Sequence, residues 1–205
     1  MLLVSAAIFA REVTIAVGAG ENWKSKMDPQ FAVWVEDADG NYIETLYITN
    51  KASRKSWIFG PKEGRPESLP VWYHAAKNNP AVEKAGAAES ARASGDSDAG
   101  IDAVTSATPK GGVTFKASIP DDGCVVKAEF NTSFDYNSFY TKKNSGVNGQ
   151  PSVIYGAKIS AGQKEEAALE FLGTGSLDGS DGKISDEIIN LTTARKIVKL
   201  VTISF

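Results

Sequence analysis

Asp102-Ala103-Val104-Thr105-Ser106-Ala107-Thr108 places three hydroxyls and one carboxylate within seven residues, on a stretch with no hydrophobic period. A hydroxyl is a weak nucleophile at its own pKa, so Thr108 would react only if another group activated it. Ser106 and Ala107 are small, which lets such a loop enter a foreign cleft. Asp102 could orient the turn by accepting from nearby backbone N–H groups or from the Thr105 hydroxyl. Pro109 and Gly111-Gly112 end the segment before the next apolar run. The chemistry on offer is that of an acceptor modified by an outside enzyme. The plainer alternative is a Ser/Thr/Ala-rich connection with no chemistry at all.

Other reactive residues are sparse. One His and one Cys in 205 residues exclude a multi-histidine metal or haem site and an internal disulfide. No nucleophile elbow, phosphate loop or dinucleotide fingerprint is present, and no constellation supports a hydrolase or transferase. We therefore expect a chain that is not itself a turnover enzyme. A net charge of −3 with no Lys/Arg cluster gives no field for DNA or RNA, so no nucleic-acid partner is expected. The run Asp178 to Asp186 fails as a calcium loop, because Leu177 occupies the first ligand position; it reads as a solvated turn. His74 reads as a partly buried histidine bonded to backbone or solvent. Trp57, Trp72 and Tyr73 read as anchors for an insertion, in preference to a ring-stacking platform.

The elements that must position the heptad are strands. Glu12–Val17, Phe31–Glu36, Tyr42–Thr49, Val113–Ser118, Val125–Asn131, Ser152–Ser160 and Ile197–Ser204 carry strand patterning. Asp37-Ala38-Asp39-Gly40-Asn41 supplies the positive-φ glycine of a hairpin turn. Pro120-Asp121-Asp122-Gly123 and Asn148-Gly149-Gln150-Pro151 mark further turns. The expected fold is mainly β, an antiparallel sandwich of about seven strands with a long, partly helical insertion over residues 57–112. One alternating face of each strand should be buried, with Trp34, Ile48, Phe115, Phe130 and Ile159 in the core. Within the insertion, a short helix should begin near Pro66–Ala75, with Pro70 in its first turn, and a second could run from Pro80 to Arg92. Gly173–Ser185 reads as a loop, and Asp186–Lys199 as holding one more helical turn.

Residues 12–205 read as a single domain. Leu2–Ala10 has the length and apolarity of a signal-peptide core but lacks the basic residues before it. Residues 1–11 are either the remnant of an export signal or a first buried strand.

The segment Phe31–Leu46, together with Arg65–Trp72 and Asn148–Ser152, resembles a family of predicted periplasmic bacterial proteins of unknown function. The similarity covers Phe31 to Phe205. The hairpin is more distantly similar to the Ig-like domain of flagellar hook-capping proteins, which implies an Ig-like sandwich without implying a flagellar role. The heptad resembles the acceptor of bacterial flavin transferases, with Ser106 standing where the usual acceptor has glycine. That resemblance implies FMN joined through its phosphate to Thr108, with Asp102, Thr105, Ser106 and Ala107 forming the recognised loop. Members of the periplasmic family occur beside flavin transferases and extracytosolic redox proteins. What is implied is a periplasmic or otherwise extracytoplasmic electron carrier, with those proteins as its partners. A flexible segment of about twenty residues would swing the cofactor about 25 Å. The alternative is a non-catalytic Ig-like binding or structural module of the bacterial envelope.

Overall fold

A computed structural model describes residues 10–23, 27–49, 52, 65–76, 104–106 and 111–205. The chain is mainly β, and two sheets form a sandwich. The strands are β1 (Ala10–Ala19), β2 (Gln30–Glu36), β3 (Tyr42–Thr49), β4 (Val104–Ser106), β5 (Gly112–Pro120), β6 (Cys124–Asn131), β7 (Val153–Ile159), β8 (Ala167–Ala168), β9 (Glu170–Thr174) and β10 (Val198–Ser204). One sheet has the order β5-β1-β10-β8 and the other β4-β3-β2-β6-β7-β9. Every pairing is antiparallel except β3 with β4, which is parallel. Among the described residues the helical elements are α1 (Pro70–Ala76), α2 (Lys142–Ser145) and a 3-10 turn at Ala194–Lys196.

All seven strands expected from patterning are present, and the three additional ones are the short β4, β8 and β9. α1 begins at Pro70 itself, where a proline costs no hydrogen bond. The expected turn beyond Asp186 is the 3-10 segment. Leu2–Phe9, Trp57 and the expected helix over Pro80–Arg92 lie outside the described residues.

The alternation in β1 turns Val13, Ile15 and Val17 inward, against Val33, Val35, Val126 and Ala128 of the facing sheet. Aromatic rings run through the middle of this core. Phe31 stacks on Tyr47 at 5.1 Å and on Phe130 at 5.3 Å, while Tyr47 meets Phe115 of the opposite sheet at 4.9 Å. Such ring pairs add about 0.5–1.5 kcal/mol each beyond their area burial.

The expectation of one buried face per strand fails for β2, which is buried along its whole length. Trp34 and Ile48 are buried, as expected, but they face away from the sandwich core. They pack with Ala32 and Ile154 against Leu69, Val71, Trp72 and Ala76 of the insertion. The insertion thus adds a third layer to the six-stranded sheet. Its occupant, α1, explains why β2 reads Phe-Ala-Val-Trp-Val instead of alternating with polar residues.

Candidate functional site

The middle of the acceptor-like heptad, Val104–Ser106, is paired to the sandwich as β4. Thr105 and Ser106 belong to β4, where they lie opposite Ile48 and Thr49 at the edge of the six-stranded sheet. Asp102, Ala107 and Thr108 lie outside the described residues. β5 starts at Gly112, opposite Gly18, as the edge strand of the other sheet. The connection holding position 108 therefore joins the edge of one sheet to the edge of the other, and has only positions 107–111 for the step. Position 108 is two residues past a hydrogen-bonded strand, a contour of about 7 Å at most.

Register places this connection at a definite end of the molecule. Ser106 lies beside Thr49, Ile48 beside Ala32, and Gln30 beside Asn131. In the second sheet, Gly18 leads to Asn22, whose side-chain amide donates to Asp135 just beyond Asn131. The ends of β1, β4 and β6 and the starts of β2, β5 and β10 share this end.

The segments Phe31–Leu46, Arg65–Trp72 and Asn148–Ser152 converge at α1. Arg65 donates to Asn148 Oδ1 at 3.0 Å, and Asn148 Nδ2 donates to the Glu67 carbonyl at 2.7 Å. The Trp72 indole N–H donates to Thr45 Oγ1 of the hairpin at 2.8 Å. At the centre is Glu129, on the outward face of β6 and fully buried. Its carboxylate accepts from Trp72 N at 2.7 Å, Val71 N at 3.3 Å and Ser152 Oγ at 2.6 Å. Burial pushes this carboxyl up to about 7, and the hydrogen bonds from Ser152, Trp72 and Val71 pull the other way. Two of the donors are buried backbone amides at the start of a helix, which have no partner within the helix and favour a carboxylate. The arrangement holds α1 to the sheet and leaves the carboxylate no access to a substrate.

The Gly-rich loop after β9 is the outer clasp of this layer, a correction to its reading as a solvated turn. Gly179 O accepts from, or faces, His74 Nε2 at 2.9 Å, so the lone histidine does bond backbone from a half-buried position. Gly179 has φ +72, and a Cβ there would sit 2.5 Å from Glu67 N. At Gly175 a Cβ would meet Pro70 Cγ and Ser152 Oγ, both at 2.5 Å. The glycines let backbone lie against Pro66-Glu67 and against Pro70 at the start of α1. Gly179→Ala is expected to destabilise by more than about 1 kcal/mol, measured by chemical denaturation, because it adds both strain and a clash. An unchanged midpoint would mean the clasp is not tight in solution.

Two further features were invisible in the sequence. Asp135 accepts from Thr193 Oγ1 at 2.6 Å and Gln150 Nε2 at 2.9 Å, while Gln150 Oε1 accepts from Thr192 N at 2.7 Å. With Asn22, whose amide also donates to Asp135, this hub ties three loops together. An open depression of about 230 Å³ lies between Glu67, Leu177 and Asp178 on one side and Asn144–Val147 on the other. Trp72 is buried and Tyr73 half-buried against the second core, as expected of anchors.

No protein-family model, no curated protein and no solved structure matches this chain. Its function has to be argued from its own geometry. Among the described residues no group of three or more His, Cys, Asp or Glu side chains is placed to hold a metal ion. Cys124 is buried, and burial pushes its thiol up to about 11, which leaves it protonated and inert.

Proposed function

We propose that this chain is an exported electron-transfer protein of the bacterial periplasm, carrying FMN on Thr108. A flavin transferase would attach it, and extracytosolic redox proteins would be its partners. The reading rests on the heptad, and the observation that supports it best is the strand context around position 108. β4 and β5 bracket it as edge strands of two different sheets, so attachment there leaves both sheet interiors undisturbed. The Thr108 oxygen would form a bond to the flavin-side phosphorus of FAD as the pyrophosphate bridge breaks and AMP leaves. The hydroxyl proton passes to a base of the transferase. Bound FMN supplies the redox chemistry. The chain's own residues anchor it: β4 pairs with β3, and β5 with β1, on either side of the attachment. Co-expression with a flavin transferase followed by intact-mass measurement tests the proposal, which fails if no flavin is gained.

A second reading, a binding or structural module of the envelope, is favoured by a different observation. Exposed aromatic and aliphatic side chains gather on the loops at the same end of the molecule.

A further inference from the structure

Five of the eight large apolar side chains exposed among the described residues come from two loops at one end: Phe134, Phe139, Val147, Ile188 and Ile189. Ile189 is 90 % exposed and Phe139 54 %. Single exposed apolar residues are ordinary, but a set gathered on adjoining loops marks an interaction surface. These loops are firmly held. Asn137 Nδ2 donates to the Asn190 carbonyl at 2.9 Å, and the Asp135–Gln150–Thr193 hub braces them from beneath. The Phe134 N–H donates to the Val147 carbonyl at 2.8 Å, with Phe134 at φ 67, a left-handed conformation that a bulky residue rarely adopts. Backbone cost of this kind persists where the display of a side chain matters.

Two opposite pairs of charges adjoin Phe139 and Ile188-Ile189 in the chain. Lys142 and Lys143 follow Phe139-Tyr140, and Asp186 and Glu187 precede Ile188-Ile189; all four are exposed. None of the four makes an ion pair among the described residues. A partner of one sign would meet repulsion from one of the pairs. A second copy of this chain presents both signs, and a two-fold axis sets each pair against its opposite.

We propose that this end of the sandwich docks on the same end of a second copy, with Lys142 and Lys143 of one copy facing Asp186 and Glu187 of the other around Phe139, Ile188 and Ile189. The residues of this contact lie in the loops between β6 and β7 and between β9 and β10, and none belongs to the heptad.

Sedimentation velocity on the full chain, over about a hundredfold range of concentration, tests this directly. The expected result is a dimer that dissociates on dilution. Ile189→Asp, and separately Phe139→Asp, should shift the equilibrium to monomer by at least about tenfold with unchanged circular dichroism. The pair Lys142→Glu/Lys143→Glu should weaken the dimer, and adding Asp186→Lys/Glu187→Lys should restore it. A chain that stays monomeric throughout overturns the proposal. So does a folded Ile189→Asp variant that remains dimeric, or a full charge exchange that fails to restore association.

Discussion

Thr108→Ala, co-expressed with a flavin transferase and exported, is expected to keep the mass of the bare polypeptide, whereas the parent chain gains one FMN less one water. The effect is all or none, because the bond in question is made to the one oxygen the substitution removes. Thr105 and Ser106 also carry hydroxyls, but both lie in β4, with backbones paired to Ile48 and Thr49. Position 108 is the hydroxyl beyond the end of the strand. The melting temperature should not change, because the exchange leaves β4, β5 and both cores intact. A persistent mass increment in the variant would move the attachment elsewhere. Absence of the increment in the parent would end the electron-carrier reading and leave the binding module.

Glu129→Gln is expected to change how stability depends on pH. The folded-state pKa of Glu129 is raised from 4.5 to about 7, mainly by burial. The native state therefore holds a proton that the unfolded chain has released over that interval. The stability this contributes is complete below about pH 4.5 and is lost as pH rises through about 7. Carried over the full interval, the difference is on the order of 3 kcal/mol. Glutamine imitates the protonated acid in part: its oxygen can accept from Trp72 N and its amide can donate to Ser152 Oγ, but that amide cannot accept from Val71 N. Relative to the parent, the variant should gain stability between pH 4.5 and pH 8, by about 2–4 °C in melting temperature per kcal/mol. The other titrating groups cancel in the comparison, because both proteins carry them. Equal destabilisation of the variant at both pH values would show that the α1 amides keep the carboxylate charged in the fold.

Most of the sandwich was legible because its seven long strands are periodic. β1 alternates cleanly, and the Asp37–Asn41 turn carries its own chemistry, with Asp37 Oδ1 accepting from Asp39 N and Asn41 N and Gly40 at φ +85. β4, β8 and β9 were missed because they span only two to five residues and owe their form to a neighbour's edge. The third layer was missed for a related reason. A strand apolar on both faces, such as β2, announces that both faces are covered without saying by what. Glu129 was equally silent, since a glutamate two places from Lys127 on a strand reads as solvated until a helix is laid over it. The hub at Asp135 brings together residues far apart in sequence, and no local pattern encodes such a meeting. Of the heptad, Val104–Ser106 lie in β4 and the other positions lie outside the described residues.

Sheet β4-β3-β2-β6-β7-β9 is an interior slab for part of its area, and this bears on how the protein could be simplified. A two-sheet core cut free of Arg65–Ala76 would present Trp34, Ile48 and Ile154 to water, along with an uncapped Glu129. Such a miniature would be expected to aggregate, so the helix that interrupts the strands is as much foundation as the strands themselves.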